Sequence, residues 1–133
     1  MNQSLPSVAR IAFIVHLIVV VLVGVPLLLA PAAFGAIFGY PEVPAGLVPV
    51  LRGFGAMIVG FGGLTSFYGL RSADWQRVDY VVRGEIAFLA IQTLVFLLPA
   101  LNGIGPAMGN WLFAAASAVM LALFTGAFAA RPR

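Results

Sequence analysis

The chain has 133 residues, of which 62% are hydrophobic and 8% charged, with no cysteine and a formal net charge of +3. A water-soluble domain of this length could not hide so much apolar surface, so the composition selects an integral membrane protein. Disulfides and thiolate metal sites are excluded, and so few basic residues form no phosphate-neutralising patch, so no nucleic-acid partner is expected.

Four apolar segments of about 20 residues, the length that crosses a hydrocarbon core of ~30 Å, predict a single-domain all-α bundle of four transmembrane helices. The first covers about residues 11–30. Arg10 before it and Ala30, Pro31 and Ala32 after it imitate a secretory signal peptide. Its apolar run exceeds the ~7 to 15 residues of such peptides, so it reads as a retained helix that Pro31 ends. The stretch 34–44, FGAIFGYPEVP, is aromatic and broken by Gly35, Gly39, Pro41 and Pro44, which predicts a short turn or half-helix at the interface, a depth that suits Tyr40. The second helix, about 47–70, accepts Pro49 in its first turn. A polar connection, 71–77, offers Asp74 as N-cap of the third helix, 75–99, whose first turns hold Arg77, Asp79, Arg83 and Glu85. Asp79 and Arg83 are four apart and pair on one face. After a turn at 100–105 the fourth helix spans about 106–130, with Trp111 near the interface.

Arg10, the group Arg71, Arg77 and Arg83, and the pair Arg131 and Arg133 fall at the N-terminus, the second connection and the C-terminus. The positive-inside rule then predicts that both termini and this connection face the cytoplasm. The likeness of LLLAPAAFGAIFG to FLLPALNGIGPAMG hints at a parallel duplication of two hairpins.

Helices in lipid associate through small residues and a few polar contacts. Ala114, Ala118, Ala122, Gly126 and Ala130 recur at every fourth position of helix four. Helix two carries Ala56, Gly60 and Gly63, with Gly55, Gly62 and Ser66 on an adjacent line. These stripes predict packing faces, within the bundle or between copies of a homo-oligomer.

Glu85 is the costliest side chain in the chain, since an acid at a helix centre costs roughly 2.5 to 3.5 kcal/mol on insertion scales. It must face protein or water, and Gln92, seven residues on, extends a polar stripe on the same side of helix three. At similar depth antiparallel neighbours offer His16, Thr65, Ser66, Tyr68 and Thr125. These residues predict either a proton-linked or polar-ligand site or a hydrogen-bonded clasp that fixes helix register. A cavity open to the bilayer near Glu85 and His16 is what chemistry on a lipid or quinone would require, and a dry, packed interior would remove that reading. Arg52, on the outer side against the charge bias, reads as an anion contact or as a snorkelling arginine paired to Glu42. One histidine cannot make a bis-histidine haem, no companion ligands mark a metal, and no nucleophile-base arrangement is present, so neither cofactor, metal nor catalytic residue is assigned.

Gly62 to Phe67 resembles the glycine-threonine-phenylalanine break of the fluoride channels, and the chain is similar in size to the small multidrug-resistance exporters. Helix two has no asparagine and helix one no acid, and the strong arginine bias opposes the dual insertion those families use. A broader resemblance rests on PxxFxxxFGYP in 31–41, LRGFGAMIVGFGGL in 51–64 and the arginine-containing turn that follows, and it is to small bacterial four-helix membrane proteins with the DoxX-like layout. It implies a multi-pass protein of the cell inner membrane with an accessory role beside a larger membrane protein. The expected function is accordingly a non-catalytic accessory or scaffold subunit, with a small oligomeric transporter or channel built on Glu85 and Gln92 as the alternative.

Overall fold

The structure, a computed structural model, describes residues 4–40 and 42–132. Pro41, part of the expected interfacial turn, and Arg133, one of the charges assigned to the C-terminal end, lie outside the described residues. The chain forms α1 (Ser7–Leu29), the short α2 (Pro31–Ile37), α3 (Ala45–Arg71), α4 (Trp75–Leu101) and α5 (Ala107–Ala129). α1, α3, α4 and α5 are long and apolar enough to cross a membrane. At 1.5 Å per residue they measure roughly 35 to 40 Å, more than a ~30 Å hydrocarbon core.

Prolines punctuate these helices. Pro6 precedes the first turn of α1, and Pro31, at the start of α2, follows an Ala30 whose extended φ of −141° ends α1. Pro26 sits inside α1 just after a π-helical turn, Val20–Gly24. The i→i+5 bonding there leaves room for a ring that a regular α turn would press against the carbonyl of Leu22. A second π turn, Ile58–Gly62, lies in α3 directly against the first. Because a π turn holds more residues than an α turn, His16, Val20 and Gly24, spaced by four, all stay on the buried side of α1.

The order around the bundle is α3, α1, α5, α4. α4 and α5 pack along one another most extensively, α1 lies between α3 and α5, and α3 meets α4 mainly through its last segment, Gly63–Arg71. The bundle is therefore an arc that closes at one end only. At that end Ala9, Ala12, Phe13, Val78, Val82, Phe124 and Ala127 are fully buried, and Phe13 meets Phe124 edge to face at 5.4 Å between ring centres. Both described chain ends lie there. The Leu5 amide donates to the Ala73 carbonyl at 3.1 Å, and Asp74 caps α4 by accepting from the Gln76 amide at 3.1 Å. Arg83 donates to Asp79 at 2.8 Å, and the Arg83 and Arg131 guanidinium groups both lie over the Phe128 ring.

At the opposite end α2 folds back over the bundle. Phe34 and Phe38 stack with Phe113, and the Tyr40 hydroxyl donates to Asn110 Oδ1 at 3.3 Å while Asn110 Nδ2 donates to the Ile104 carbonyl at 2.6 Å. Gly39, with φ of +81°, makes the turn that presents Tyr40. The similar stretch after α4 forms a turn through Gly103 and Gly105 and no second short helix.

The small-residue faces differ from the four-residue stripes. On α3 the buried positions are Gly55, Ser66 and Gly69, whereas Ala56 and Gly60 are exposed and Gly63 is half-buried. A Cβ on Gly55 would run into the backbone of Leu28, and one on Gly69 into the ring of Phe13. On α5 Ala114 is buried and Gly126 half-buried, but Ala118, Ala122 and Ala130 are exposed, and the inward line is Ala114, Ser117, Met120, Phe124 and Ala127. Steps of four advance about 400° on an α-helix, so such a stripe winds away from a straight neighbour, while mixed steps of three and four stay on it.

Candidate functional site

Three helices each deliver polar side chains to one point about 8 to 15 Å along their axes from the closed end. His16 comes from α1, Thr65 and Ser66 from α3, and Glu85 from α4. Ser66 Oγ lies 3.0 Å from His16 Nδ1, Thr65 Oγ1 lies 3.1 Å from both Glu85 Oε1 and the Gly62 carbonyl, and His16 Nδ1 stands 3.8 Å from Glu85 Oε1. Phe124 holds the imidazole edge to face at 5.7 Å. Ser66 can occupy this interface because Gly62 and Gly69 bring α3 close to α1 on either side of it.

His16 and Glu85 are both more than nine-tenths buried. Among the described residues no sealed side-chain nitrogen or oxygen lacks a hydrogen-bond partner. The two atoms of this cluster that bond to no side chain, His16 Nε2 and Glu85 Oε2, are therefore not sealed, and both residues line the adjoining cavity. That cavity, of about 630 Å³, is bounded by all four long helices and lies where α3 and α4 diverge. Its walls are apolar apart from His16, Thr65, Glu85, Gln92, Ser117 and Tyr80, the last of these 86% exposed at its edge. A second cavity of about 630 Å³ continues toward the α2 end and shares Val23, Met57, Ile58, Phe88, Gln92 and Phe113 with the first. Together they form a lateral cleft that follows α4 from Tyr80 to Phe96, roughly 24 Å at 1.5 Å per residue.

The structure thus brings together His16, Thr65, Ser66 and Glu85, and sets Gln92 on the cleft wall between the two cavities. Tyr68 stays out of the cluster. It is half-exposed because two residues beyond Ser66 is about 200° around the helix. Thr125 is likewise exposed beside the inward Phe124. Arg52 and Glu42 are exposed, and among the described residues no ion pair joins them; Glu42 borders the second cavity. Sequence reasoning did not pick out Ser117, the single hydroxyl in the run from Ala114 to Met120, nor Gly84, whose missing side chain keeps the cleft open.

Chemically, the cluster offers an imidazole, a carboxyl group and the Thr65 hydroxyl to anything that enters the cleft, while Ser66, fully buried, supports the imidazole from behind. Among the described residues no three His, Cys, Asp or Glu side chains gather, so a metal would have only His16 and Glu85 to hold it. No protein-family model matches the chain, and comparison with curated proteins and with solved structures gives no match.

Proposed function

We propose that this is a multi-pass membrane protein that takes a membrane-soluble amphiphile sideways into the cleft between α3 and α4, with the head of the ligand at His16, Thr65 and Glu85. One observation carries the reading: a long apolar cleft open at the side has its buried polar atoms at one end. Binding sites for small molecules have this form, concave and mostly apolar with a few convergent polar groups. A purely scaffolding bundle has no need of such a cleft, so the interior favours ligand binding over the accessory role. A conduit through the monomer is disfavoured by the fully buried Phe13, Val78, Val82 and Phe124 at the closed end. The arginine bias supports cytoplasmic termini, which puts the polar head of the cleft in the cytoplasmic half of the bilayer. The DoxX-like resemblance supports a bacterial inner membrane.

Photo-crosslinking tests the proposal. A long-chain alkyl diazirine incubated with the protein in lipid nanodiscs should label cleft residues such as Met57, Phe88 and Gln92 in preference to the outer face of α5 at Leu112 and Val119. Equal labelling of both faces would refute it.

A further inference from the structure

The polar lining of the cleft also says which head group it takes. We infer that the cleft selects an uncharged amphiphile whose head carries a hydroxyl group, such as a long-chain alcohol or phenol, and rejects phosphate-headed lipids; this inference rests on the binding site proposed above.

The argument starts from what the cavity at the cluster lacks. Among the described residues no arginine lines it. Of the arginines near the closed end, Arg71 lies over Phe67, Arg83 bonds Asp79 and lies over Phe128, Arg131 lies over the Phe128 ring as well, and Arg10 and Arg77 are exposed and outside the cavity wall. A phosphate drawn to this depth would lose its hydration and meet the Glu85 carboxyl group with no guanidinium to pair it. An uncharged head avoids both costs.

What the cavity presents is a matched donor and acceptor. A hydroxyl has one proton, and so does a neutral imidazole. When Ser66 donates to His16 Nδ1, the imidazole proton sits on Nε2, an unsealed atom of a residue that lines the cavity. Glu85 Oε1 is engaged by Thr65, and Oε2 is left unsealed on a residue that lines the same space. A ligand hydroxyl placed between them accepts from Nε2 and donates to Oε2, and an ether or a hydrocarbon end leaves at least one of these buried groups unpaired. Above the cluster the walls become almost wholly apolar through Val23, Met57, Phe88 and Phe113, so the tail runs toward the α2 end.

The experiment is native mass spectrometry of the detergent-solubilised protein incubated with hexadecanol or with hexadecyl phosphate, repeated on Gly84→Phe and Glu85→Leu. A Cβ at Gly84 meets nothing within 4 Å and grows from the cleft wall, outside the core, so Gly84→Phe places its ring in the cleft and fills it. The expected result is a hexadecanol adduct that Gly84→Phe abolishes and Glu85→Leu weakens about tenfold, the loss of one buried hydrogen bond, with no adduct of the phosphate ester. If Glu85→Leu does not fold, Glu85→Gln, which keeps an acceptor, serves instead, and less than a threefold effect is expected from it (about 0.7 kcal/mol). A phosphate ester that binds as tightly as the alcohol and is displaced by Gly84→Phe would overturn the head-group inference and leave the binding site standing. Adducts of neither probe, or adducts indifferent to Gly84→Phe, would overturn both.

Discussion

Substituting Gly55 by alanine tests the close approach of α1 and α3 on which the whole site depends. A methyl group at this position would fall well inside van der Waals contact of the Leu28 amide nitrogen and Cα and of the Leu27 carbonyl carbon. All three are backbone atoms, so no rotamer change relieves the clash and the helices themselves must part. Overpacking of a core costs typically 1 to 3 kcal/mol, and an obstacle of backbone places Gly55→Ala at about 2 to 3 kcal/mol. Gly53 is the internal control. It lies two residues away in the same helix, and a Cβ there meets nothing within 4 Å, so Gly53→Ala should be neutral or stabilising by up to about 1 kcal/mol from helix propensity. The assay is unfolding in mixed micelles by titration with a denaturing detergent, followed by fluorescence of Trp75, which is 3% exposed in the core of the closed end. Midpoints of the two variants within about 0.5 kcal/mol of one another, the range of an ordinary surface change, would refute the reasoning.

Three further outcomes are expected. Ser66→Ala should destabilise the protein by about 0.6 to 1.7 kcal/mol, the range measured for hydrogen bonds between membrane helices, and a cycle with His16→Leu should show that most of this loss is coupling between the two residues. In the same unfolding assay Asp74→Ala should cost about 1 kcal/mol as a lost helix cap, whereas Asp79→Asn should cost about 0.5 kcal/mol or less because Arg83 is largely exposed; a larger loss from the second than from the first would contradict this ordering. The chain has no cysteine, so single cysteines at Arg10 and Asn102 can be labelled without background, and a membrane-impermeant maleimide added to intact cells should reach Asn102→Cys but not Arg10→Cys.

Much of this arrangement is legible in the sequence because it follows from length and counting. The four long helices come from uninterrupted apolar runs, the Asp74 cap and the Asp79–Arg83 pair from local spacing, and the meeting of His16, Thr65, Ser66 and Glu85 from matching depths along antiparallel helices of fixed rise. The rest depends on which helices become neighbours. The cleft exists because α3 and α4, adjacent in the chain, diverge beyond their shared turn, and periodicity carries no record of that. A π turn interrupts each of α1 and α3 without a local sequence signal, and which of the small residues of α3 are buried, Gly55, Ser66 and Gly69 and not Ala56 and Gly60, follows from where α1 lies against it. The grip of Tyr40 on Asn110 spans 70 residues and has no local signature.

The pairing of the helices also bears on how the protein is made. α1 with α3 and α4 with α5 are each hairpins of helices that leave the ribosome in succession, and the main join between the hairpins is α1 against α5. His16, Thr65 and Ser66 are synthesised with the first hairpin, and Glu85 arrives with the second. Until the halves dock, the carboxyl group of Glu85 lacks the Thr65 hydroxyl and sits in hydrocarbon at a cost of up to roughly 2.5 to 3.5 kcal/mol. Docking of the halves in the native order gives Glu85 the Thr65 hydroxyl, and a pair docked otherwise leaves the carboxyl group without that bond.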